Sequence, residues 1–163
     1  MVTKRQVRQE GHNRKFLAVA DNTAECARAI HYAARRSAAI GADLILVYVI
    51  APADFQHWLG VEEVMRSEAR AEAEATLAKY ADLAIQDGCK SPETVIREGP
   101  PAHEIVALIE EDPDIALLIL AAGDDNDGPG PLVSSVAGTG AIFPIPVTVV
   151  PATLTDQDID DLV

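Results

Sequence analysis

The residue types best suited to chemistry lie between 116 and 135. Ala116–Ala122 is an apolar run that breaks into a turn holding Gly123, Gly128 and Gly130, with Pro129 and Pro131 interleaved. Ser134 and Ser135 follow where a helix starts. An apolar run that ends on glycines and re-enters a helix presents free backbone N–H groups and a positive helix end, an arrangement that seats a phosphate. Glycine suits such a loop because the amides must approach the anion and several φ angles must be positive. The same turn carries Asp124, Asp125 and Asp127 and neither Lys nor Arg. Its two prolines also remove two donors. A polyphosphate would be repelled there unless Mg²⁺ intervened, and one of the three aspartates could serve as its ligand. Two readings therefore stand open: a phosphate cradle, or a solvated surface turn without a ligand.

The remaining polar candidates carry a similar choice. Asp21 closes the first apolar run and can contact a ribose hydroxyl or cap the helix that follows. Ser134 and Ser135 can bind a phosphate at a helix start or bond to local backbone. His31 lies in a helix and His103 near a helix start; both read as surface or interface histidines. His57 sits beside Trp58 in a loop after the second apolar run, suited to a lid or a partner contact. Cys26 and Cys89 lack metal-ligand spacing and read as thiols in a reducing compartment.

The elements that must position these groups follow from composition and pattern. A chain of 163 residues has the length of one domain and can bury its own core. Hydrophobic residues make up 48%, aromatics only 4%, which suits a helix-covered sheet better than a β-sandwich. The net charge is −13, yet five of the 13 basic side chains and one acid fall in the first 15 residues. The rest has 8 basic against 25 acidic groups and repels a nucleic-acid backbone. The basic arm, residues 1–14, reads as a flexible solvated tail. No apolar run approaches the roughly 20 residues that span a bilayer, and no signal peptide is apparent, so the expected location is cytoplasmic.

Phe16–Ala20 is a short apolar run, as expected of a strand buried on both faces. A helix over Ala24–Ile40, stopped by Gly41, leads to a second strand over Leu44–Ile50. Together they form a βαβ unit. An amphipathic helix runs from Glu62 to about Gln86, with Val64, Met65, Ala69, Ala73, Leu77, Tyr80 and Ala84 near one face, and Gly88 ends it. Glu93–Glu98 alternates like an edge strand. A helix around His103–Glu111, a fourth strand over Ile115–Ala121, a short helix near Leu132–Gly138 and a fifth strand ending at Val150 complete the series. The acidic tail, residues 152–163, has the pattern of at most a short, loose helix over Thr155–Leu162. Five strands alternating with four helices predict a doubly wound α/β fold with a five-stranded parallel sheet and helices on both faces. Ligands bind such sheets beyond the carboxyl ends of the strands, which gathers Asp21, Val49–Ile50 and Gly123–Ser135 at one edge.

Over residues 15–151 the chain resembles the universal stress protein family. The resemblance rests on Phe16–Asp21 with its following Asn-Thr-Ala-Glu, the Leu-Ile-Leu-Val-Tyr-Val strand, Arg-Glu-Gly at 97–99, Leu118–Gly123, and Pro144–Pro151 at the close. It implies a Rossmann-like sheet of strand order 3-2-1-4-5. It also implies an acid on the ribose, matched by Asp21 with Asn22 beside it, and second-strand backbone at the adenine, matched by Val49. The family's phosphate turn has the form Gly-x2-Gly-x9-Gly-Ser/Thr. Counted back from Pro146, its Gly-Ser falls on Ser134-Ser135, and the earlier glycines fall near Ala121 and Asp124. A second register, Gly128-x9-Gly138-Thr139, leaves too few residues for the usual helix, so the first is preferred. The phosphate-side residues implied are Gly123, Gly128, Gly130, Ser134 and Ser135.

The chain is accordingly expected to bind an adenine nucleotide, ATP with Mg²⁺, and to signal stress without turnover, slow ATP hydrolysis at most. No Gly-x4-Gly-Lys-Ser/Thr loop, nucleophile elbow or Gly-x-Gly-x-x-Gly occurs. The alternative is a dimeric interaction protein that kept the fold and lost the nucleotide, with a protein partner at the acidic loop and Trp58. In the resembling family the final strand pairs across a two-fold axis. An unpaired apolar edge argues the same way, so a homodimer through Val147, Thr148, Val149 and Val150 is expected.

Overall fold

Side chains on both faces of the apolar runs are buried, which is why those runs lack the alternation of a half-exposed strand. Leu17 and Ala18 are each fully buried on opposite faces of the first. A computed structural model describes residues 3–52, 59–123, 128–139 and 143–163. Five strands, β1 (Lys15–Val19), β2 (Asp43–Ile50), β3 (Glu93–Glu98), β4 (Ile115–Ala121) and β5 (Val147–Val150), form one parallel sheet in the order β3-β2-β1-β4-β5. This is the order expected. In the registers, Val19 stands opposite Val47, Ile119 opposite Thr148 and Val49 opposite Arg97.

Helices cover both faces. On one, Phe16, Ala18, Leu44 and Leu46 pack with α1 (Cys26–Ile40), α2 (Leu59–Gln86) and α5 (Asp156–Leu162). On the other, Leu17, Val19, Ile45, Val47, Leu118 and Leu120 meet α3 (Pro101–Glu111) and α4 (Pro131–Thr139). Ala29, Ala33 and Ala34 are fully buried on α1, and their small size brings that helix close to the sheet. Gly41 and Gly88 end α1 and α2 alike: the amide of Ala42 returns to the Ser37 carbonyl and that of Cys89 to the Ala84 carbonyl.

Three segments differ from expectation. The apolar face of α2 holds over Ala73, Leu77, Tyr80 and Ala84, but Val64 and Met65 are exposed. A 28-residue helix is about 42 Å long and an eight-residue strand about 27 Å, so the first turns of α2 overrun the sheet. The acidic tail is a docked helix: Thr155 and Asp158 form a capping box, and Ile159 is fully buried in the α1 face of the core. The basic arm lies against the α3–β4 turn. Its Arg5 guanidinium donates to the carbonyls of Ile109, Asp112 and Ile115 at 2.8–3.2 Å, and the Gln6 amide to that of Pro113. Charge pointed to solvent; two carbonyls at the end of α3 and one at the start of β4 supplied a better partner. Among the described residues no helix is long and apolar enough to cross a membrane.

Candidate functional site

The carboxyl ends of β1 and β4 part into a cleft of about 100 Å³. Val19, Asp21, Thr23 and Glu25 form one wall, on the chain leading from β1 into α1. Leu120 and Ala121 at the end of β4 form the floor, and Pro129–Val133 the other wall, where the glycine turn enters α4. The cleft lies where strand order reverses between β1 and its two neighbours, the place expected for a ligand in an open α/β sheet. A larger hollow, about 270 Å³, opens at the opposite end of the sheet between the last turns of α1 and α2, with Asp43 and Lys90 on its rim. It lies away from the strand ends that carry binding chemistry.

Asp21 is held by a local turn. Its Oδ1 accepts from the Thr23 amide at 2.8 Å and from the Thr23 hydroxyl, and its own amide donates to Cys26 Sγ at 3.3 Å. The acid thus caps the turn before α1, whose N-cap is Glu25, and not the helix itself. Oδ2 is free of protein partners among the described residues, so one carboxylate oxygen in the cleft remains for a ligand. Beneath it, Cys26 is fully buried, and burial raises its thiol pKa to about 12, an inert thiol.

Asn22 stands outside the cleft as a clamp. Its Nδ2 donates to the Tyr48 hydroxyl at 3.1 Å and to Glu72 at 2.6 Å, and its Oδ1 accepts from Thr76 at 2.9 Å. It ties the end of β1 to α2. Val49 does not line the cleft either. Strand parity turns its side chain with Ile45 and Val47 toward the α3 face, which leaves only its backbone at the strand end.

On the glycine side, Gly128 and Gly130 have φ of 88° and 102°, so the turn uses the left-handed freedom of both. The Gly123 amide donates to the Pro129 carbonyl at 3.2 Å, closing the turn on itself. A Cβ on Gly123 would stand 3.1 Å from both Glu25 Oε1 and the Gly128 carbonyl, so a side chain there would push its neighbours back by a few tenths of an ångström. Ser134 and Ser135 are not at the helix start. α4 begins at Pro131, so they fall beyond the first three residues, whose amides are the ones left unpaired by helix geometry. The Ser134 amide donates to the Gly130 carbonyl at 2.9 Å and the Ser135 hydroxyl to the Pro131 carbonyl at 2.8 Å. The Pro131–Val133 segment meets the cleft in their place.

The structure thus brings Asp21 and Gly130 together, with Gly123 behind them against Glu25. Glu25 is the residue that sequence reasoning missed. Its place one residue before α1 reads as ordinary helix-start chemistry, and only the fold turns it into the cleft. Asp124, Asp125 and Asp127, and Phe55, His57 and Trp58, lie outside the described residues. Among the described residues no group of three or more acids, histidines or cysteines could hold a metal ion. Arg97, a mark of the resemblance, is structural: it forms a bidentate ion pair with Glu111 across β3 and α3.

The model of the universal stress protein family matches residues 12–151. Among solved structures, the chain is similar to the universal stress protein UspA of Lactobacillus plantarum at 21% identity, covering 84% of this chain and 97% of that one, with a TM-score of 0.71. It is similar to the universal stress protein of Archaeoglobus fulgidus in complex with dAMP at 17% identity, 83% and 95% coverage and TM-score 0.58. A universal stress protein family member from Arabidopsis thaliana with AMP bound matches at 15% identity, 85% and 91% coverage and TM-score 0.59. Among curated proteins none matches.

Proposed function

The chain belongs to the universal stress protein family, and we propose that within it this chain is an adenine-nucleotide-binding regulatory domain that signals by occupancy and not by turnover. The observation that carries the reading is the uncommitted carboxylate oxygen of Asp21, held by Thr23 in a cleft at the carboxyl ends of β1 and β4. A ribose diol donates two hydroxyls, and a fixed carboxylate is a fitting acceptor for them. The apolar walls, Val19, Leu120, Leu132 and Val133, suit a sugar and base, and the backbone end of β2 at Val49 would border the adenine. The dAMP and AMP carried by two structural neighbours support the same ligand class. ATP with Mg²⁺, the finer expectation, would need ligands from the aspartates at 124, 125 and 127. The homodimer through Val147–Val150 and the cytoplasmic location are parts of the same proposal.

A second reading keeps the fold and drops the nucleotide, leaving a dimeric interaction protein. The internal commitment of the Gly123 amide and the Ser135 hydroxyl favours it. Calorimetric titration with adenine nucleotides decides. Under the first reading Asp21→Ala weakens binding by about tenfold or more, as expected for a lost hydrogen bond to a charged group, and leaves the fold intact. Absence of heat at millimolar nucleotide supports the second.

A further inference from the structure

We infer that Asn22 is a positioning residue that couples the cleft to α2: it steadies the turn carrying Asp21, and through it a ligand in the cleft orders the first half of that helix. The inference rests on the nucleotide reading above and adds the regulation of that site.

Asp21 and Asn22 are neighbours in the turn that leaves β1, and their side chains part. Asp21 lines the cleft. Asn22 gives its Nδ2 to the Tyr48 hydroxyl on β2 and to the Glu72 carboxylate on α2, and its Oδ1 accepts from the Thr76 hydroxyl. A primary amide offers two donors and an acceptor at one end, and the carboxylate, which only accepts, fixes which way round it sits. One short side chain thereby ties the Asp21 turn to a neighbouring strand and to two residues one turn apart on α2.

The grip falls where α2 leaves the core. From Glu62 to Glu72 no side chain of the helix is buried. Ala73 is the first that is, and Leu77, Tyr80 and Ala84 continue the buried face. In the exposed stretch Arg66 lies 3.8 Å from Glu98 of β3, an exposed pair of small worth. A segment with so few buried contacts opens at low free energy, and its order responds to a modest change in what holds it. A ligand on Asp21 fixes the turn, and a fixed turn lowers the cost of ordering the three bonds of Asn22. Linkage makes the effect reciprocal: loosening the grip on α2 weakens the ligand by the same factor.

Glu72 and Thr76 do not line the cleft, so substitutions there reach a ligand only through Asn22. The test combines calorimetric titration with AMP and hydrogen exchange on the full chain, for the native protein, Glu72→Ala, Thr76→Val and Asn22→Leu. AMP should slow amide exchange over residues 62–72 of the native protein about fivefold or more, the lower range of site-to-site coupling. Glu72→Ala should weaken AMP binding about fivefold or more, although it removes a negative charge whose loss by itself favours an anion. Thr76→Val, which loses one neutral bond, should weaken it less. Asn22→Leu should weaken it at least as much as Glu72→Ala, and saturating AMP should then leave exchange over 62–72 unchanged. A clamp that served the fold alone would lower the melting temperature of these variants and move neither readout. Native protein that binds AMP with no change over 62–72 overturns the inference while the nucleotide reading stands. AMP affinity unchanged in both Glu72→Ala and Asn22→Leu does the same. Native protein that binds no AMP at millimolar concentration overturns both. Should Asn22→Leu not fold, the native exchange series and the two α2 variants decide.

Discussion

His31 Nε2 on α1 lies 2.9 Å from Asp160 Oδ1 on α5, while its Nδ1 lies 2.7 Å from Asp87 just past α2. A neutral imidazole has one N–H and would turn its bare nitrogen toward one of these carboxylates; the imidazolium donates to both. The ring therefore ties Asp87 and Asp160 together, and with them α2 and the C-terminal helix, only while doubly protonated. Burial by itself lowers its pKa. The hydrogen bond and charge of Asp87, the bond to Asp160 and the charge of Asp156 outweigh this and hold it above the ordinary value. Arg35, 3.1 Å from Asp160, is the cation that remains when His31 loses its proton.

A raised folded-state pKa contributes stability that is complete below the unfolded value, about 6.5, and fades as pH rises through the folded one. Thermal melts should therefore fall by a few degrees between mildly acidic and mildly alkaline buffer. His31→Gln should flatten that part of the profile and show less protection of the α5 amides at low pH. A native profile no steeper than the variant's would remove the histidine from this role.

The same helix carries one fully buried apolar residue, Ile159. Ile159→Ala opens a cavity against α1 and should cost about 2–5 kcal/mol in urea unfolding. A loss within about 0.5 kcal/mol, the range of a surface change, would mean that the tail is not part of the folded unit.

The tail was illegible in the sequence because its seven helical residues hold four acids and a single core contact. Periodicity needs several contacts to register, and here the capping box and His31 supply what periodicity lacks. By contrast, Phe16–Ala20 and Ile115–Ala121 declared themselves, since a strand buried on both faces can hold nothing polar. At the site, Asp21 was legible because it ends such a strand. Val49 was legible as a position, but strand parity sends its side chain to the other face. Ser134 and Ser135 fall past the first three residues of α4, so the Ser134 amide and the Ser135 hydroxyl bond local backbone, which a motif count does not register.

Arg5 is a second long-range fastening. One guanidinium nitrogen meets the carbonyls of Ile109 and Asp112 at the end of α3 and of Ile115 at the start of β4. Removing it leaves these acceptors without a protein cation, so Arg5→Ala should destabilise by about 1–3 kcal/mol in urea. Arg5→Lys should recover only part, because an ammonium cannot reproduce the planar fork. Equal stability of the alanine variant and the native chain would return the arm to solvent.

The outer edge of β5 offers the sharpest test of the proposed dimer. Leu118 donates its amide to the Pro146 carbonyl and Ala122 to that of Val150, each at 3.0 Å. Alternate residues of a strand turn their backbone groups to opposite sides. Thr148 therefore works with Pro146 and Val150 toward β4, and Val147 and Val149 turn theirs outward, where strand order leaves β5 at the edge. Val149→Pro deletes an outward N–H without touching the β4 ladder, a position where proline is tolerated. In sedimentation the native chain should dimerise, and Val149→Pro should weaken the dimer at least about tenfold, the effect of one or two lost backbone bonds, with the far-ultraviolet spectrum of the monomer retained. A native chain that stays monomeric at high concentration refutes the dimer. A proline variant that dimerises as well as the native chain moves the interface to another face.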